Sequence, residues 1–317
     1  MDEHQAQRVT VLLGGRSAER EVSLNTGAQV AEALATRGFE VATVDTALDG
    51  FIDAITASEP DVVFIALHGR FGEDGTIQGL LELLDLPYVG SGVLASALAM
   101  NKVMTKHVYA TSGLTTPAYR VVRRSDPYDV GDITAAIGPH TVVKPANEGS
   151  SVGMTIVPDP SGLGDAIEFA FGYDPLVLVE RFEEGVEVTV GVIGNDEPVA
   201  LPTLEIVPVN DFYDYESKYV PGMSRHIIPA GVSEEARVEC QRLAVEAHRA
   251  LGCAGMSRSD TIVTPEGTVF LLETNTIPGM TKTSLLPDAA AAAGIEFPEL
   301  CEMLVRSGVE NWNARRG

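Results

Sequence analysis

The strongest constraint on this chain lies in its last third, where Thr264-Pro265-Glu266-Gly267 separates two apolar runs. That tetrapeptide suits a type I turn, so the flanking residues read as the two strands of a hairpin. If Val263 pairs with Thr268, Arg258 stands opposite Glu273 and Asp260 opposite Leu271. Side chains alternate along strands, so Arg258, Asp260, Glu273 and Asn275 then share one face, with three oxygen donors beside a guanidinium. Such a set suits a divalent ion bridged to nucleotide phosphates, because Mg²⁺ is commonly held by one or two carboxylates plus phosphate oxygens and water. The alternative is a solvated charged face, but Glu273 adjoins the apolar run 269–272, where a carboxylate needs a partner. A glycine bulge at Gly267 changes the facing pairs, so the assignment depends on register.

The chain opens with a different pattern. Residues 9–14 form a short apolar run ending in glycines, followed by a polar loop and a helical pattern through Val30 and Leu34 that closes near Gly38. With further strands at 41–44 and 61–67, the first third reads as a parallel βαβ layer whose strand ends point into a crevice. One such end carries His68-Gly69-Arg70-Phe71-Gly72-Glu73-Asp74-Gly75. From about Asn101 the spacing predicts a short helix over 102–112, strands at 141–145, 154–157 and 176–179, and then an alternating strand through Val186, Val188, Val190 and Val192. Ser233 reads as the N-cap of a packing helix with Glu234 and Glu235 in its first turn, ending at Gly252.

Three more segments carry candidate chemistry. Lys144 ends a strand and leads into Asn147-Glu148-Gly149-Ser150-Ser151-Val152-Gly153, a small-residue loop whose N–H groups can surround phosphate oxygens beside an ammonium. An ordinary hairpin turn is the equal alternative, and the order of lysine and glycines is not that of a Walker A loop. Residues 278–285 turn from a strand toward a helix; the Gly279 N–H beside Arg258 can stabilise an oxyanion, and Ser284 can hold a carboxylate or cap the helix. Residues 211–219 place three tyrosines among charges, as a loop closing over a ligand does, or as a plain surface loop does.

Composition narrows the classes. In 317 residues, 45 acidic against 22 basic side chains leave a net charge of −23, which disfavours a nucleic-acid partner because phosphate-backbone binding needs a basic stripe. No apolar run of membrane-spanning length occurs, and residues 1–8 are polar, so a cytoplasmic protein is expected. Cys240, Cys253 and Cys301 match no zinc or redox spacing and read as buried small hydrophobes in a reducing compartment.

In this order the segments 12–23, 68–79, 144–153, 211–219 and 258–285 resemble the D-alanine:D-alanine ligase family of the ATP-grasp superfamily, over essentially the whole chain. The resemblance implies a three-domain α/β and α+β ATP-grasp fold: an N-terminal parallel-sheet substrate domain (1–101), a central subdomain (102–183) and a C-terminal subdomain (184–317). It implies ATP between the last two, held by Lys102, Lys144, Glu148, Ser151, Glu180 and Glu187, with Asp260, Glu273 and Asn275 binding two Mg²⁺ ions, or Mn²⁺. Glu19 and His68 correspond to the anchor of the first amino acid, Arg258 and Gly279 to the oxyanion donors. Lys218, Ser284 and Leu285 match positions around the second carboxylate, and Tyr219, Ser150 and Glu19 a group that ties down a closing loop.

The implied activity is ligation of two D-alanines through D-alanyl phosphate for peptidoglycan precursors, by a homodimer. A ligase with another acceptor, such as D-lactate or D-serine, is the main alternative; a non-catalytic nucleotide-binding protein is another. Three positions depart from the usual pattern: Arg181 for lysine, Asn147 for arginine, and Ser259 for an apolar residue.

Overall fold

The computed structural model describes residues 7–208 and 224–316, so Lys218, Tyr219 and the rest of the tyrosine-rich loop lie outside the described residues. Strand β1 (Arg8–Leu13) runs between β2 (Glu40–Asp45) and β3 (Val62–Ile65) in a parallel sheet, with α1 (Arg20–Thr36) and α2 (Phe51–Ala57) as the crossovers. All three carboxyl ends therefore open on one edge, where parallel sheets bind ligands. Gly14 and Gly15 both have positive φ there, and Arg20 clamps their loop through a two-pronged pair with Asp45 (2.9 and 2.6 Å). Those hydrogen bonds hold the Asp45 carboxyl down at about 2.

Helices α3 (Thr76–Leu83), α4 (Val93–Met100) and α5 (Lys102–Thr111) lead out of this layer. Asn101 caps α5, its side-chain oxygen accepting from the Met104 N–H at 3.0 Å. A second sheet follows, wholly antiparallel, from β4 (Tyr119–Arg123), β5 (Thr141–Pro145), β6 (Thr155–Val157) and β7 (Leu176–Arg181) in the order β4-β7-β5-β6. Helices α6 (Val130–Ile137) and α7 (Leu163–Phe171) bury its Val122, Val143, Val177 and Val179 face. The opposite face carries Lys144 and Glu180. Loop 146–154 thus joins the paired strands β5 and β6 as a hairpin connection.

The third sheet contains β8 (Val186–Gly194), β9 (Val199–Ala200), β10 (Leu204–Pro208), β11 (Ser224–Ile227), β12 (Gly255–Val263) and β13 (Val269–Asn275), in the order β11-β10-β8-β12-β13 with β9 on β8. Helix α8 (Glu234–Leu251) covers one face, starting on a Ser233 side-chain cap and ending at Gly252 with φ 73°, as its sequence signals predict. Against it pack Val188, Val190 and Val192, together with Tyr109 of α5. The other face sets Arg258, Asp260, Glu273 and Asn275 among apolar residues that include Met256 and Leu204.

The hairpin register differs from the sequence expectation in an instructive way. Val263 pairs with Val269, not Thr268, because Gly267 takes φ 85° and adds one residue to the turn. A second shift falls between Thr261↔Leu271 and Asp260↔Glu273, leaving Leu272 as the extra residue of a bulge. Arg258 therefore faces Asn275, and Asp260 faces Glu273, so the predicted partners Glu273 and Leu271 are both corrected. A single shift alone would turn Glu273 and Asn275 toward α8; two shifts restore the parity. Ser259 and Thr274 occupy the other face, where Thr274 joins Ser259 (2.7 Å) and Tyr109 (2.6 Å). The unusual serine at 259 thus has a polar partner.

Helices α9 (Leu285–Ala292) and α10 (Phe297–Ala314) return to the first sheet. Leu286, Leu300, Leu304 and Trp312 share one buried core with Val11, Phe64 and Ile65, so both ends of the chain stabilise the same layer. Trp312, without an assigned role in the sequence, packs edge-on against Tyr88. All three cysteines are free and buried, as expected. Among the described residues no helix is long and apolar enough to cross a membrane.

Candidate active site

The polar residues on the face of the third sheet away from α8 come from alternate positions. Glu187 opposes Ile262, Thr189 opposes Asp260 and Gly191 opposes Arg258. Asp260 is 8% exposed, and its carboxylate accepts from Arg258 Nε (2.9 Å) and Nη2 (2.8 Å) and from Thr189 Oγ1 (2.6 Å). Glu273 meets the partner its position demanded: Lys102 Nζ, at the start of α5, lies 3.4 Å from Oε2. Asn275 Oδ1 accepts from the Ile277 N–H at 2.8 Å, which fixes the amide plane.

Two lysines and a glutamate link this face to the second sheet. Glu180 is 2% exposed and offers one oxygen to Lys106 Nζ (2.5 Å) and the other to Lys144 Nζ (2.7 Å). Burial alone would raise its pKa, but the two ammonium groups outweigh burial and hold it at about 2. Burial likewise opposes charge on Lys144, and the carboxylates of Glu180, Glu273 and Glu187 raise it above the ordinary lysine value. Lys106 was missed by sequence reading. Its signal was its position four residues after Lys102 on α5, where both side chains point the same way.

The β5–β6 loop closes toward the first sheet. Ser150 and Ser151 adopt φ of 50° and 60°, a left-handed backbone that costs non-glycine residues about 1 kcal/mol each. There the Ser150 hydroxyl donates to Glu19 Oε1 at 2.5 Å. Glu148 contributes its carbonyl, not a described side-chain contact, accepting from Lys102 Nζ at 2.6 Å. Asn147, at a position where arginine is frequent, donates to Asp174 (2.6 Å) and accepts from Asn101 (2.7 Å), so it ties the loop base to the α5 cap.

Glu19 is approached from the first sheet too. A Cβ on Gly69, whose φ is 68°, would stand 2.7 Å from Glu19 Oε2. His68, beside it, is 6% exposed, with Nε2 3.2 Å from Thr26 Oγ1 and Nδ1 3.4 Å from Glu73. Burial pushes the Glu73 carboxyl up, against that histidine contact. After β13, Gly279 lies so close to Ser284 that an added Cβ would meet its Oγ at 3.0 Å. Ser284 occupies the N-cap position of α9, yet its hydroxyl makes no cap bond: it accepts from the Thr281 N–H at 3.1 Å, which corrects the capping reading. Leu285 packs with Leu204 and Ile206.

Among the described residues no three His, Cys, Asp or Glu side chains form a metal cage. Asp260, Glu273 and Asn275 nevertheless fit a hard divalent ion, since all three offer oxygen from one face and phosphate can complete the shell.

The whole arrangement closely matches solved structures. The D-alanine–D-alanine ligase of Bacillus anthracis complexed with ATP aligns with a TM-score of 0.86 at 29% identity, covering 98% of this chain and 100% of that one. The Coxiella burnetii D-alanine–D-alanine ligase gives 0.84 at 28% identity, covering 98% and 96%. Fold and site together define a ligase of the ATP-grasp type. The family models for the D-ala D-ala ligase N-terminus and C-terminus match residues 49–91 and 108–306. The D-alanine–D-alanine ligase of Pelotomaculum thermopropionicum is 50% identical over 315 residues, 98% of this chain and 99% of the relative. That of Geobacter sulfurreducens is 49% identical over 307 residues, covering 96% and 95%. The chain belongs to the D-alanine–D-alanine ligase family.

Proposed function

We propose that the protein joins two D-alanines to D-alanyl-D-alanine, using ATP to convert the first carboxylate into an acyl phosphate. The observation that carries this reading is the shared face of Arg258, Asp260, Glu273 and Asn275, set beside Lys102 and Lys144. A carboxylate is a poor acyl donor, and phosphorylation supplies it with a leaving group. Phosphoryl transfer asks the protein mainly for position and charge neutralisation.

Lys102 and Lys144 would neutralise phosphate oxygens, with Ser151 and Glu148 in the loop above them, while Glu180 and Glu187 hold the adenine and ribose. Magnesium, when bound by Asp260, Glu273 and Asn275, supplies charge to the triphosphate; Mn²⁺ has similar preferences. Glu19, with His68 beside it, anchors the first ammonium. Arg258 and the Gly279 N–H stabilise the oxyanion of the tetrahedral adduct. Ser284, Leu285 and Lys218 surround the second carboxylate. Ser150, Glu19 and Tyr219 tie the loop down, which keeps water from the acyl phosphate.

The family relationship supports a role in peptidoglycan precursor synthesis, a cytoplasmic location and a homodimer, and we retain 1–101, 102–183 and 184–317 as domain bounds. Phosphate release tests the reading. D-alanine as sole amino acid should support ATP-dependent release, with the dipeptide as product. Turnover only when D-lactate or D-serine is added would identify a different acceptor, and no turnover with D-alanine would refute the assignment.

A further inference from the structure

Glu180 lies between two ammonium groups that differ in every other respect. Lys106 is 1% exposed, and three oxygens surround its Nζ: Glu180 Oε1 at 2.5 Å, Thr116 Oγ1 at 2.5 Å and the Leu271 carbonyl at 3.2 Å. Thr116 and Leu271 accept hydrogen bonds from it and the Glu180 carboxylate is its ion-pair partner, so the group is held from three sides. These partners come from β7, from the segment before β4 and from β13, so one side chain joins both antiparallel sheets. Lys144, at 15% exposure, instead borders the cleft.

The pairing creates a conflict. Lys144 can neutralise a triphosphate only by sharing or leaving Glu180, and a carboxylate 2% exposed cannot be left without a counter-charge. We propose that Lys106 is a positioning residue, the standing counter-ion of Glu180 that releases Lys144 for the triphosphate. The inference rests on the phosphate-binding reading of Lys144. Lys106 itself touches no substrate. Without it, Glu180 has Lys144 as its remaining cation and holds it back from the nucleotide.

Binding measured by calorimetry separates this role from simple packing. The ligands are Mg²⁺ with a non-hydrolysable ATP analogue, and adenosine, which has no phosphate. Lys106→Met should weaken the analogue roughly tenfold or more while weakening adenosine less than about threefold. Glu180→Gln removes the carboxylate that retains Lys144, so adding Lys106→Met to Glu180→Gln should change analogue affinity by less than about threefold. That comparison also decides the matter if Lys106→Met alone fails to fold. Equal losses for analogue and adenosine, an unchanged analogue affinity, or a further large loss in the double variant would overturn the proposal. Failure of the underlying reading has a separate signature: Lys144→Met binds the analogue as tightly as the natural protein.

Discussion

At the scale of single residues, charge placement carries the chemistry. Glu273→Gln keeps the side chain's size and removes its charge, so ATP turnover should vanish while the thermal midpoint stays near that of the natural protein; near-normal turnover would remove Glu273 from the metal set. Gly69→Ala sets a Cβ 2.7 Å from Glu19 Oε2 at a backbone φ of 68°. The carboxylate must move, and the KM for D-alanine should rise roughly tenfold or more, with ATP affinity little changed. His248 gives a pH dependence distant from the chemistry. Burial lowers its pKa to about 4 from 6.5, so below pH 6.5 the unfolded chain takes up a proton that the folded protein refuses. Stability should therefore fall with pH between about 6.5 and 4, by about 3 kcal/mol at most, and His248→Gln should flatten that part of a denaturation series. The sequence made the demand for a partner at Glu273 legible, because a carboxylate after an apolar run must be paired. It left Lys106 and Thr189 obscure, since their roles depend on contacts between segments far apart in the chain.

At the scale of elements, the β12–β13 hairpin shows how much a pattern can and cannot say. Turn, strands and shared face were all legible from Thr264–Gly267 and the alternation around it. The facing partners were not, because neither the extra residue at Gly267 nor the bulge at Leu272 has an unambiguous signature. Inserting one alanine between Leu272 and Glu273 should therefore abolish ATP turnover, since Glu273 and Asn275 would then alternate onto the α8 face, among Val188, Val190 and Leu271. Gly267→Ala makes the useful contrast. Its Cβ meets nothing within 4 Å, so the change should cost only about 1 kcal/mol of left-handed backbone strain, read in urea unfolding, and leave activity intact. Ser284 teaches the complementary lesson: its N-cap position was legible, but the hydroxyl turns back to Thr281, a choice set by the neighbouring Gly279 loop.

For the whole molecule, the site exists because three sheets present polar edges or faces to one another. The parallel layer was legible from its apolar runs and glycine ends, and the helix α8 from its cap and stripe. The return of α10 to the first sheet was not, because an amphipathic helix near a chain terminus does not say which layer it covers. That packing encloses Trp312 with Tyr88, and Glu19 reaches Ser150 across 131 residues of sequence. The central claim is that this meeting of sheets makes a carboxylate attack the terminal phosphate of ATP. Labelling the D-alanine carboxylate with ¹⁸O tests it directly, because the oxygen that forms the acyl phosphate leaves with phosphate when the amine displaces it. The account predicts one labelled oxygen in the inorganic phosphate released per dipeptide formed. Unlabelled phosphate, released in step with dipeptide, would contradict it.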